Sequence, residues 1–131
     1  MLTKQQHIDY WLHSAEEDWL TVEAMFSAKR YLHGLFWAHL MLEKLTKANW
    51  VKNHTENIPP KTHNIVWLME ESGVDLGEET TAFLIEFNRF QLSSRYPDYI
   101  GKINKICTET FATKTLDRIK ETKQCLLKMA L

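Results

Sequence analysis

Apolar residues along this chain recur at steps of three and four rather than two, the spacing that gathers them on one side of a helix. Ile8, Trp11, Leu12, Ala15, Trp19, Val22, Met25 and Phe26 form the first such stripe and predict a helix running to about Lys29. Glu16, Glu17 and Glu23 fall off the stripe, as solvent-facing residues should. Ahead of it, Thr3 and Gln6 have the spacing of a capping box, in which each side chain satisfies a free amide of the first turn. A second helix is expected from about Tyr31 to Lys52. Leu35, Ala38, Leu42 and Leu45 mark one line on it, while Phe36, Leu40 and Trp50 lie elsewhere on the cylinder. A helix that is apolar on several sides belongs in the centre of a bundle or against a second subunit.

Pro59-Pro60 makes His54 to Lys61 a loop, because proline lacks the amide and disfavours helix before it. Thr62 is placed to cap a short third helix carrying Ile65, Val66, Leu68 and Met69, which Gly73 ends. A fourth helix is expected from about Glu78 to Leu92, with Phe83, Leu84, Phe87 and Phe90 inward and Pro97 closing the segment. Tyr99 to Cys107 reads only as one or two short helical turns, and a last helix is expected near Glu109 to Met129. The pattern therefore predicts one all-α domain over residues 1–131: an antiparallel, up-and-down bundle of four to five main helices with short extra helices.

Composition narrows this picture without changing it. Four Gly and three Pro in 131 residues leave little room for the turns of an all-β fold. The net charge of -1 gives no whole-molecule field for nucleic acid or anionic lipid. The charge is uneven, however: Trp67 to Asn88 holds six acids and no Lys or Arg, and Arg89 to Leu131 holds nine bases against four acids. Solvated helix faces account for such runs more often than a binding surface does. Cys107 and Cys125 form no paired motif, which suits a reducing compartment. The longest stretch without a formal charge, Tyr31 to Leu42, is too short to cross a bilayer, and the N-terminal residues lack the apolar core of a signal peptide. A cytoplasmic protein with no membrane association is expected.

Four stretches carry a likeness to a known family: "WLHSAEEDWLTVEAMF", "RYLHGLFWAHLMLEKLTKAN", "PPKTHNIVWLMEESG" and "FNRFQLSSRYPDY". In this order, with Glu43-Lys44, Thr62-His63 and Arg95-Tyr96-Pro97-Asp98 in series, they resemble the HEPN domains, the higher-eukaryote and prokaryote nucleotide-binding helical domains. The resemblance implies a bundle of four or five helices, commonly a homodimer, often working beside a minimal nucleotidyltransferase in a toxin–antitoxin or nucleotide-transfer pair. Some members are metal-independent ribonucleases that use an Arg followed four to six residues later by a His. That pattern is missing here: no His follows Arg89 or Arg95 within reach, His33 is too near Arg30, and His39 is too far from it.

The candidate residues have two readings each. Arg95 can hold a phosphate while Tyr96 stacks on a base; structurally, Asp98 caps the next turn and Arg95 pairs with a carboxylate, the commoner use of such residues beside Pro97. Asp18 lies beside the first stripe and should be partly buried, so it needs a partner, either Lys44 or Arg95. A fold-locking pair is the commoner outcome there, a ligand-binding acid the sharper one. His39 and Glu43 share a helix face, as do His13 and Glu17, but two ligands do not make a metal site, and no metal or other cofactor is expected. His63 can serve packing or help bind an anion. Of the five tryptophans, Trp37 and Trp50 lie off the main line of their helix, which makes one of them a candidate for a dimer interface.

The expected ligand-binding set is thus Arg95, Tyr96, Asp98, Asp18, Glu43, Lys44 and His63, converging on one region, with no residue assigned to catalysis. The leading reading is a module that binds nucleotide or RNA. The alternatives are a ribonuclease with a degenerate site, pairing Arg95 with His39 or His63, and a purely structural helical adaptor.

Overall fold

Thr3 opens the first helix in the way its spacing predicts. Its Oγ1 accepts a bond from the Gln6 amide at 3.1 Å, and Gln6 Oε1 accepts one from the Thr3 amide at 2.9 Å. In the computed structural model, which describes residues 1–92 and 95–131, this capping box starts α1 (Lys4–Ser27). There follow α2 (Tyr31–Asn53), α3 (Ile65–Glu71), α4 (Glu78–Phe87), a 3₁₀ turn (Asn88–Phe90), α5 (Pro97–Ile106) and α6 (Glu109–Ala130). The described residues contain no strand, so the all-α bundle stands. Among the described residues its helices divide into three long ones of 24, 23 and 22 residues and three short ones, in keeping with main helices joined by short extra ones. Among the described residues no helix is long and apolar enough to cross a membrane.

The α1–α2 connection is three residues, which forces the two helices to lie antiparallel against each other. Lys29 there takes a left-handed φ of 60°, and the Arg30 amide reaches back to the Met25 carbonyl at 2.8 Å, sealing the end of α1. Helix α2 is the axis of the fold, packing on α1, α3, α6 and the 3₁₀ turn. Leu35, Ala38, Met41, Leu42 and Leu45 are all buried along it, with the polar His39, Glu43, Thr46 and Asn49 buried among them. Asn49 ties α2 to α6 by donating to the Leu126 carbonyl at 3.1 Å. Trp50 is covered within the chain itself, in a smaller cluster with Ile8, Val51 and Leu68, so it is a core residue; Trp37 is half-buried.

Gly34, near the start of α2, sits where a Cβ would meet the Phe26 ring at 2.7 Å. Gly34→Ala should therefore lower stability by about 1–3 kcal/mol through overpacking, despite alanine's better helix propensity. Urea unfolding of the two proteins checks this, and a more stable variant would refute it.

Three boundaries differ from the sequence expectation. Asn64, not Thr62, caps α3: its Oδ1 accepts from the Trp67 amide, while Thr62 Oγ1 accepts from the Asn64 amide one step earlier. Helix α4 stops at Phe87, and the chain tightens into the 3₁₀ turn. A three-residue repeat aligns i and i+3, so Phe87 and Phe90 face the core together, ring centroids 5.5 Å apart. Finally, the Tyr99–Cys107 stretch forms one continuous helix, α5, that ends at Ile106 with Cys107 as its C-cap, with Pro97 in its first turn and Tyr96 as its N-cap. Asp98 consequently lies inside the first turn and does not cap it.

Candidate functional site

Two buried polar residues one turn apart on α2, His39 and Glu43, reach outward from the core toward the short elements. Glu43 is 3% exposed, and its Oε1 lies 2.8 Å from His63 Nδ1, on the segment just before α3. A carboxylate can only accept, so His63 Nδ1 donates, and Nε2 is left as the ring's remaining polar atom. Lys47, one turn further along α2, holds the other Glu43 oxygen at 3.7 Å.

His39 is completely buried, with Nε2 3.0 Å from Asn88 Oδ1 in the 3₁₀ turn. Asn88 in turn donates its amide to Asn64 Oδ1 at 3.3 Å. That second bond orients the Asn88 carbonyl toward His39, so His39 Nε2 carries the proton and Nδ1 does not. Burial lowers the His39 pKa to about 4, opposed by the Asn88 hydrogen bond and reinforced by the nearby His63. The ring is therefore neutral at physiological pH.

Above this support lies an open, polar cleft of about 270 Å³, lined by His63, Asn64, Asn88, Gln91 and Arg95. Its walls come from three places far apart in sequence: the approach to α3, the 3₁₀ turn and the approach to α5. Arg95 is exposed; its Nε donates to the Gln91 carbonyl at 3.3 Å and its guanidinium stands 4.8 Å from the Tyr99 ring centroid. Among the described residues no carboxylate comes within ion-pair distance of Arg95, so its charge faces the cleft uncompensated by a salt bridge. The paired-arginine alternative of the sequence reading does not hold among those residues. The Arg95 guanidinium gives this polar concavity a charged, forked donor suited to phosphate oxygens.

The expected residues do not all converge here. Arg95 and His63 line the cleft, and Glu43 joins them by holding His63. Asp18 and Lys44 instead close on each other at 2.8 Å in the seam between α1 and α2, away from the cleft walls, as a fold-locking pair. Tyr96 is 79% exposed and, like Asp98, stands outside the cleft lining. Asn64, Asn88 and Gln91 went unpredicted, since asparagine and glutamine at helix ends ordinarily read as caps and turns. Ser93 and Ser94, inside the motif that ends in Arg95-Tyr96-Pro97-Asp98, lie outside the described residues. His39 and Glu43 do not form a metal cluster: among the described residues no three His, Cys, Asp or Glu side chains gather closely enough to hold an ion.

The model of the HEPN domain family matches residues 8–129, nearly the whole chain. No curated protein and no solved structure matches it significantly. The chain belongs to the HEPN domain family.

Proposed function

We propose that this HEPN domain is a binding module whose cleft takes a phosphate-bearing ligand, a nucleotide or the end of an RNA. The observation that carries this reading is the placement of Arg95 beside His63 and Asn88, each of the latter two fixed by a buried residue of α2. Such second-layer support holds the polar groups in place before a ligand arrives, which limits the ordering cost of binding. Arg95 supplies charge and a forked donor. The module acts as a homodimer beside a small nucleotidyltransferase, in a toxin–antitoxin or nucleotide-transfer pair; family membership is what supports this part.

Thermal shift with mono- and triphosphate nucleotides and short RNA tests the cleft directly. A ligand at a hundredfold its dissociation constant should add about 2.7 kcal/mol of stability. Arg95→Ala should remove most of that gain, weakening binding by roughly tenfold or more, yet leave the unliganded protein as stable as before because Arg95 is exposed. No shift with any nucleotide or RNA, together with no nucleotidyltransferase on pull-down, would overturn the reading.

One observation favours a second reading. Glu43 orients His63 as a carboxylate orients a general base, and Arg95 shares the cleft with it. Of the two histidines considered for a degenerate ribonuclease, His39 is buried and bonded, so His63 is the one that remains accessible. RNA cleavage in the presence of chelator, lost in His63→Ala, would favour this reading over simple binding.

A further inference from the structure

We infer that a second cleft, on the α1 side of the bundle, binds a small aromatic anion: a two-ring body carrying a carboxylate, sulfonate or phosphate and one hydrogen-bond donor. This site is separate from the cleft of Arg95 and does not rest on the function proposed for it. The second cleft encloses about 300 Å³ between the first turns of α1 and the loop that follows α2, within the size range of pockets that hold small organic ligands. Tyr10 and Trp11 form one wall and Ile58 and Pro59 the other.

The two walls are held in register by Lys4, whose ammonium donates to the carbonyls of Val51, His54 and Glu56 at 2.7, 2.7 and 3.2 Å. That single side chain closes the end of α2 and pins the start of the loop to α1. The cleft is thus part of the fold rather than a chance gap between side chains.

Its chemistry is one-sided. Lys47 and Lys61 line it, and no carboxylate does. The Lys47 side chain is only 12% exposed, lies 5.2 Å from the centre of the Trp11 ring and is ion-paired with Glu43 at 3.7 Å. Lys61, exposed on the loop wall and in no ion pair among the described residues, is the cation that favours an incoming anion. Asn57, on the loop wall, keeps a buried Oδ1 without a hydrogen-bond partner among the described residues, which calls for a donor on the ligand. Exposed apolar surface on Ile58 and Tyr10, 67% and 60% open, supplies the complement for the rings.

The probe is 1-anilinonaphthalene-8-sulfonate, which carries two ring systems, an anion and an N–H, titrated into the full chain by fluorescence. Saturation at one dye per chain with a blue-shifted emission is expected. Ile58→Asp and Lys61→Glu, both at exposed positions and so without effect on the melting temperature, should each weaken binding by about tenfold, equivalent to ~1.4 kcal/mol. The uncharged analogue N-phenyl-1-naphthylamine should bind at least about tenfold more weakly than the sulfonate. Equal binding by the variants, or by the uncharged dye, overturns the inference. So does an absence of dye binding coupled to an Ile58→Asp variant that sediments as monomer where the parent is a dimer, since a second copy would then cover the cleft.

Discussion

Taking the protein from neutral pH down to pH 4 should remove about 3 kcal/mol of its stability through one residue, His39. The ring has a pKa of about 4 in the folded chain, against an ordinary 6.5 once unfolding exposes it, and burial is the main cause. Above pH 6.5 neither state holds the extra proton, so His39 contributes no pH dependence there. Between pH 6.5 and 4 the unfolded chain takes up a proton that the folded chain refuses, and stability falls as the pH falls. Below pH 4 both states are protonated and this loss levels off. Urea midpoints measured at pH 7, 5.5 and 4 would trace the curve. His39→Gln keeps an N–H that can bond Asn88 but cannot titrate, and it should flatten the curve by the His39 share. Parallel pH profiles for parent and variant would reject the account.

Phe87→Ala should be the most damaging single truncation near the site, costing about 3–5 kcal/mol. Its ring is 2% exposed and sits between those of Phe83 and Phe90, each with centroids 5.5 Å away, and 5.6 Å from the imidazole of His39. Deleting it opens a cavity that the stiff 3₁₀ turn cannot fill, because Asn88, the next residue, is tied to both His39 and Asn64. The denaturation midpoint should fall with little change in the slope, and ligand stabilisation at the Arg95 cleft should drop with it. A loss below about 1 kcal/mol would mean that the aromatic cluster is not what supports the turn.

The parts of this fold that could be read from the chain are those set by local physics. The capping box at Thr3 and Gln6 depends on residues three apart, and the stripe from Ile8 to Phe26 depends on the helical repeat; both are visible without coordinates. The partner of Asp18 was also within reach, because a carboxylate beside an apolar stripe needs a cation and Lys44 was one of two at hand. Asn64 and Thr62 illustrate the limit: both are good caps two residues apart, and the choice falls to whichever lets Ile65 and Leu68 turn into the core. The cleft was the least legible feature. Its walls are joined by His39 to Asn88 and Glu43 to His63, pairs 49 and 20 residues apart that no periodicity links. Tyr96 and Asp98 were drawn in by their closeness to Arg95 in sequence, yet Tyr96 opens a helix that carries it and Asp98 out to solvent.

Helix α2 is packed on α1, α3, α6 and the 3₁₀ turn, and most of its side chains are shielded from solvent by this chain alone. Its interior amides can therefore meet solvent deuterons only through disruption of the whole bundle, whereas α5, with Ile103 as its one buried residue, can fray on its own. His39 and Glu43 thus belong to the last region to let go, and Arg95, on the approach to α5, to one of the first. The cleft joins a rigid half that fixes the geometry to a loose half that can follow a ligand in.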